Sequence, residues 1–86
     1  MPKYTVVFSR SARKDIERLD TIIVERVFFA VESLSTHPRP RGCRKLHVQE
    51  NLWRIRIGDY RVVYSIVDDE KLVDIVAVRH RSEVYK

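Results

Sequence analysis

Three arginines, Arg54, Arg56 and Arg61, fall within "LWRIRIGDYRVVYS", residues 52–65, where the other side chains read as the core of a β-hairpin. A guanidinium presents a planar fork of donors that matches phosphate or carboxylate oxygens two at a time, so a group of them on one surface is chemistry suited to an anion. With Gly58-Asp59 as a two-residue turn, Ile57 pairs with Tyr60, Arg56 with Arg61, Ile55 with Val62, Arg54 with Val63 and Trp53 with Tyr64. Directly paired residues share a face. Trp53, Ile55, Ile57, Tyr60, Val62 and Tyr64 then turn to the core, and the three arginines turn away from it. Two like charges directly opposite cost about 0.2–1 kcal/mol, so a strand pair shaped only for stability would set a glutamate against an arginine. Two accounts stand: a solvated sheet face guarded against edge pairing, or an anion site. On either, Trp53 is a large core ring, and Arg61, pointing off the core, is replaceable without loss of the fold.

The C-terminal run "VAVRHRSEVYK" adds Arg79, Arg81 and Tyr85. A three-residue loop over Asp68 to Glu70 sets Arg79 beside the column of Arg61, whereas a two- or four-residue loop sets it on the opposite face. Tyr85 either pins the tail on the core or serves the site. His37, His47 and His80 have no spacing that suggests a shared metal, and Ser9, Ser11 and Cys43 have no paired base in view. His80 is held as a reserve acid or base, because it lies among the arginines in sequence and an imidazole titrates near neutrality.

The elements that must position these residues follow from periodicity. "KYTVVFS" alternates with period two and opens the chain as a strand. "SARKDIERLD" places Ala12, Ile16 and Leu19 on one helical face, with Ser9 or Ser11 as N-cap. "TIIVERVFFAVESLSTH" is a longer helix with Ile23, Val27, Val31 and Leu34 along one stripe, widened by Val24 and Phe28, capped by Asp20 or Thr21 and stopped by Pro38. A loop rich in proline holds a short strand around Lys45 to His47, and three strands follow as a meander. The expectation is a single α+β domain over residues 1–86, β-α-α-β-β-β, with a helical hairpin on one face of a mainly antiparallel sheet and no helix left for the other.

An 86-residue chain buries only about 60% of its unfolded surface, which favours function on a surface or in a shallow cleft over a deep pocket. The formal charge of +5, from 17 Lys and Arg against 12 Asp and Glu, favours a polyanionic partner. One cysteine makes an internal disulfide or a thiolate zinc site impossible and fits a reducing, cytoplasmic setting. No run approaches the ~18 apolar residues of a membrane span, and no signal peptide is legible.

The block "RKLHVQENLWRIRIGDYRVVY", the helix "SARKDIERL" and the ending "RHRSEVY" closely resemble the RelE/ParE superfamily of toxin–antitoxin toxins, and the ending resembles the RelE branch in particular. The resemblance spans nearly the whole chain and implies the same β-α-α-β-β-β fold. It implies a ribosome-dependent endonuclease that cuts mRNA, whereas the ParE branch inhibits DNA gyrase; a plain RNA-binding module is the third reading. Matched residue by residue, it implies catalytic roles for Arg61, Arg79 and Tyr85, and RNA or phosphate contacts for Arg54 and Arg56. Arg81 and Lys45 complete the basic set expected to touch RNA. Arginines stand at 54 and 56 where the best-known relatives carry lysines, and an arginine does not act as a base. The resemblance further implies no metal or cofactor, a RelB-like cognate antitoxin, the ribosome and mRNA as partners, operator DNA only through the antitoxin complex, and no membrane.

Overall fold

The computed structural model describes residues 3–47 and 51–84. In chain order the elements are β1 (Thr5–Phe8), α1 (Arg10–Glu17), α2 (Thr21–Leu34), β2 (Arg44–His47), β3 (Leu52–Ile57), β4 (Tyr60–Val67), a single 3₁₀ turn (Asp68–Glu70), β5 (Leu72–His80) and the short α3 (Arg81–Val84). The sheet order is β1-β5-β4-β3-β2, antiparallel throughout except for the parallel β1–β5 pair. The expected α+β architecture is present. The short strand is a full member of the sheet, so four antiparallel strands follow the helices, and α3 is an addition to the expected plan.

Ser9 is the cap of α1, its Oγ accepting the Ala12 N–H at 3.1 Å. Helix α2 ends at Leu34, earlier than Pro38 would require. Ser33 Oγ donates to the Ala30 carbonyl and Ser35 Oγ to the Glu32 carbonyl. Such hydroxyls compete for the carbonyls that a continuing helix needs, and the chain leaves through tight turn bonds instead. The core joins Ala12 of α1 and Val27, Val31 and Leu34 of α2 to Ile55, Ile57, Val62, Tyr64, Ile66, Val73, Ile75 and Val78 of the sheet.

Trp53 packs against this core as its face predicts but at the rim, only half-buried. Arg39 and Lys45 lie over its ring, 5.0 and 5.5 Å from the centroid, and its Nε1–H donates to Asn51 Oδ1. Tyr64 is the large ring with no exposure, and its hydroxyl donates to the Pro38 carbonyl at 2.8 Å. The difference has a simple source. Trp53 sits on β3 near the sheet margin, whereas Tyr64 lies on β4, in the middle of the sheet order.

One polar cluster ties the chain ends of the sheet together. Asp68 accepts from the Tyr4 hydroxyl at 2.6 Å and from both Arg39 amino groups at 2.8 and 3.3 Å. The Arg39 guanidinium, helped by that hydroxyl, holds the Asp68 carboxyl down at about 2 from its ordinary 3.8. A depressed carboxylate favours the folded form fully above about pH 5 and loses that contribution as pH falls through ~4 towards ~2. The expected result in a carboxyl-detected NMR titration is a midpoint near 2 for Asp68 in the folded protein. An Arg39→Ala variant should return it towards the ordinary value.

Candidate functional site

The hairpin register matches the expected one pair for pair: Ile57↔Tyr60, Arg56↔Arg61, Ile55↔Val62, Arg54↔Val63 and Trp53↔Tyr64. Gly58, at φ +60, supplies the positive angle at the first turn position, where a two-residue hairpin loop commonly needs glycine. The arginines do share the face away from the helices.

Arg79 reaches that face by a route the alternation of β5 did not disclose. Val67 pairs with Leu72, so the loop is four residues, Asp68 to Lys71, with Lys71 at φ +53. A four-residue loop alone would turn Arg79 the other way. Between Tyr64↔Ile75 and Val63↔Ala77, however, the register shifts, leaving Val76 as an extra residue in β5. A bulge of one residue reverses which side chains face the core. Val73, Ile75 and Val78 can therefore all be buried, and Arg79 comes directly opposite Arg61. Arg56, Arg61 and Arg79 form one row across three strands.

A second row holds Arg44 opposite Arg54, so the face carries five arginines. Residue types alone gave no reason to include Arg44; only the β2–β3 pairing, with its register shift between Lys45 and His47, brings it in. Arg81, at the start of α3, joins from the end of β5. Its N–H donates to the Asp59 carbonyl at 2.7 Å, and its Nε lies 3.8 Å from the Asp59 carboxylate. Arg56, Arg61 and Arg81, with Gly58, Asp59 and Tyr60, line an open cleft of about 210 Å³.

The face is not the uniformly solvated surface of the first account. Arg54 and Arg61 are only 8% and 9% exposed. Each stands on an interior strand with a neighbour on either side: Arg61 between Arg56 and Arg79, Arg54 between Arg44 and Val63. Arg56 lies beyond the end of the β2 pairing, lacks a neighbour on that side, and is exposed. Among the described residues no buried side-chain nitrogen or oxygen lacks a hydrogen-bond partner. Burying an arginine's aliphatic stem against neighbouring strands is favourable, which accounts for the low exposure of Arg54 and Arg61.

Two expected residues lie elsewhere. Lys45 pairs with Trp53, which puts it on the helix side of the sheet, with its ammonium over the indole. His80 pairs with Tyr60, one residue out of step with the Arg61–Arg79 pair, and so faces away from the arginine row. Adjacent residues on a strand point to opposite faces, so nearness in sequence to Arg79 and Arg81 misled. The His80 ring meets Tyr60 edge-on at 5.2 Å, and its Nδ1 accepts the Ser82 N–H. It lines a separate cleft with Asp15, Arg18, Leu19, Tyr60, Val78 and Ser82. Tyr85 lies outside the described residues.

A mixed five-stranded sheet with a helical hairpin on one face and a basic row on the other is the architecture of a family of small toxins, and comparison with known proteins places the chain within it. Residues 6–85 match the family model described as "ParE toxin of type II toxin-antitoxin system, parDE". Toxin RelG of Mycobacterium tuberculosis is 34% identical over 84 residues, covering 96% of this chain and 97% of that protein. Toxin RelE of the same organism is also 34% identical over 84 residues, covering 96% and 87%. Among solved structures, the toxin of the toxin–antitoxin complex RelBE2 from M. tuberculosis is similar at 36% identity and a TM-score of 0.81, with 95% of each chain covered. The archaeal RelE of the RelE–RelB complex from Pyrococcus horikoshii is similar at 29% identity and a TM-score of 0.82, with 94% of this chain and 97% of that one covered. The chain belongs to the RelE/ParE family of type II toxin–antitoxin toxins.

Proposed function

We propose that this toxin is a ribosome-dependent endoribonuclease of the RelE kind, which stops translation by cutting mRNA. The observation that carries the reading is the row Arg56–Arg61–Arg79, three arginines in register on adjacent strands, with Arg81 at its end and Arg44 and Arg54 in the next row. The reaction is a transesterification in which the RNA 2′-oxygen loses its proton, bonds to the adjacent phosphorus and displaces the 5′-oxygen. That 5′-oxygen takes up a proton as the P–O bond breaks. The products are a 2′,3′-cyclic phosphate and a 5′-hydroxyl, and no metal is needed. Negative charge grows on the non-bridging oxygens, where preorganised donors act most strongly.

Arg61 and Arg79 are assigned to that charge, and Arg54, Arg56 and Arg81 to holding the RNA backbone. Lys45, on the other side of the sheet, is left outside this set. Tyr85 is assigned to proton transfer from the 2′-hydroxyl. Tyr85→Phe is then expected to slow single-turnover cleavage on ribosomes by about 10²–10⁴-fold, the usual contribution of a general acid or base. A ring that only stacks on a base would leave Phe nearly silent and put the loss in Tyr85→Ala.

Because the arginines position and stabilise but cannot remove a proton, free RNA should be a poor substrate, and the ribosome supplies the orientation. The partners proposed are the ribosome with its mRNA and a cognate RelB-like antitoxin. Both structural relatives above are toxin–antitoxin complexes, and the basic face offers an acidic partner a counter-surface. Operator DNA would be met only through that complex.

The matching model is named for ParE, so gyrase inhibition is the competing reading. Primer extension on mRNA translated in a cell-free system separates the two. Cuts in register with codons support the nuclease; an intact message together with loss of gyrase supercoiling supports the other.

A further inference from the structure

Strand β1 ends at Phe8, opposite Ile75, so β5 has no strand on its outer side beyond that point. Helix α1 stands in for one. Ser9 Oγ and Ser11 Oγ both donate to the carbonyl of the bulge residue Val76, at 3.1 and 2.8 Å. Two residues on, the Val78 N–H donates to Asp15 Oδ2 at 2.9 Å. The same oxygen accepts the Nε–H of Arg79 at 3.2 Å. One carboxylate oxygen thus grips both the backbone just past the bulge and the side chain that the bulge delivers to the arginine row. The Asp15 side chain is 15% exposed, while that of Arg79 is 47% exposed.

A structural cap for an exposed strand edge would need only the backbone bond. A surface ion pair would need only the charge. The shared oxygen does more, because it fixes the guanidinium relative to the strand: with Nε engaged at 3.2 Å, the two terminal amino groups are the donors this contact leaves for a ligand. Asp15 also sits at helical spacing from Ala12 and Leu19, on the side of α1 that packs on the sheet. A carboxylate there is a poor choice unless it has a partner to hold.

We propose that Asp15 is the positioning residue of the site, setting the direction of the Arg79 fork through its contacts with Arg79 Nε–H and Val78 N–H. The inference rests on the reading of the arginine row as the place where the RNA phosphate binds. Asp15 lowers the net positive charge beside the row, which opposes RNA binding, and supplies geometry in return.

The test is Asp15→Asn, which keeps an oxygen for the Val78 N–H but loses the charged grip on Arg79. Cleavage of mRNA on ribosomes should show kcat reduced by about 10–100-fold, the scale of a small misplacement of a catalytic group, with KM unchanged or lower. In an Arg79→Lys background the same substitution should change kcat little, because Lys offers no Nε–H to grip. In the free protein, the Arg79 Nε–H resonance should shift and exchange faster with water in Asp15→Asn, without a matching change at Arg61. Three results would overturn the proposal: an unchanged Arg79 resonance, an equal kcat loss in both backgrounds, or a rise in kcat as screening alone would give. The resonance needs no ribosome and reads the Asp15–Arg79 contact even where the wild-type protein proves not to cut mRNA, so failure of the nuclease reading is told apart from failure of this one.

Discussion

Arg61→Ala is expected to slow single-turnover cleavage of ribosome-bound mRNA by about 10²–10³-fold, the loss that follows removal of one preorganised donor from a developing oxyanion. Arg61 stands at the centre of the row, directly opposite both Arg56 and Arg79. It is also the least exposed member of the row, at 9%. That burial changes the expected effect on stability. Relieving like-charge contacts returns about 0.2–1 kcal/mol for each opposed pair. Uncovering the space of three buried methylenes costs about 0.8 kcal/mol each, which is larger. A modest fall in Tm is therefore expected, in place of the neutral or raised value that the hairpin pattern alone suggested. Arg61→Lys is the control: it keeps the stem and the charge, so Tm should hold, while cleavage should still fall because the two-pronged fork is gone. Near wild-type cleavage by Arg61→Ala would remove the row from the mechanism.

Tyr64→Ala is expected to cost about 3–5 kcal/mol, the range for deleting a buried aromatic ring. A small domain has only ~5–15 kcal/mol in total, so this variant should be largely unfolded at physiological temperature. The ring has no exposure and packs in the middle of the sheet, and burial holds its hydroxyl above the ordinary tyrosine pKa. Tyr64→Phe isolates the hydroxyl and should cost about 1 kcal/mol through the bond to the Pro38 carbonyl. Urea unfolding of the two variants beside Trp53→Ala tests the order. Trp53→Ala, at a half-buried ring, should fall between them.

How far the fold and the site can be read from residue types depends on how local the information is. The hairpin was legible to single-residue register because its turn is two residues, Gly58-Asp59, and both strands alternate without interruption. The helices were legible because Ala12, Val27, Val31 and Leu34 recur at helical spacing. Arg79 was not, because its face depends on two cancelling irregularities, a four-residue loop and the bulge at Val76, each of which alone reverses it. The apolar pair Val76 and Val78 around Ala77 was the available signal: strict alternation from Ile75 would have left Val78 outside the core. Lys45 and Arg44 depend on the β2–β3 register, which shifts between Lys45 and His47 and which residue types do not specify. The burial of Arg54 and Arg61 depends on which strands are interior, and that is a property of the whole sheet. Asp15 was passed over: an acid on the packed side of α1 is the available signal, but its partner is 64 residues away.

The parallel β1–β5 pair has a consequence for how the protein comes into being. Thr5 meets Leu72 and Phe8 meets Ile75, so the first strand has no strand partner until residues 72–75 have been made. Contacts of such long sequence separation carry a loop-closure cost and form late. β5 is an interior strand, flanked by β1 and β4, and it brings Arg79 with it. A nascent chain that lacks it has neither a closed sheet nor the third member of the arginine row. The three-arginine row is therefore a late product of folding, complete only once residues 72–80 have paired with both β1 and β4.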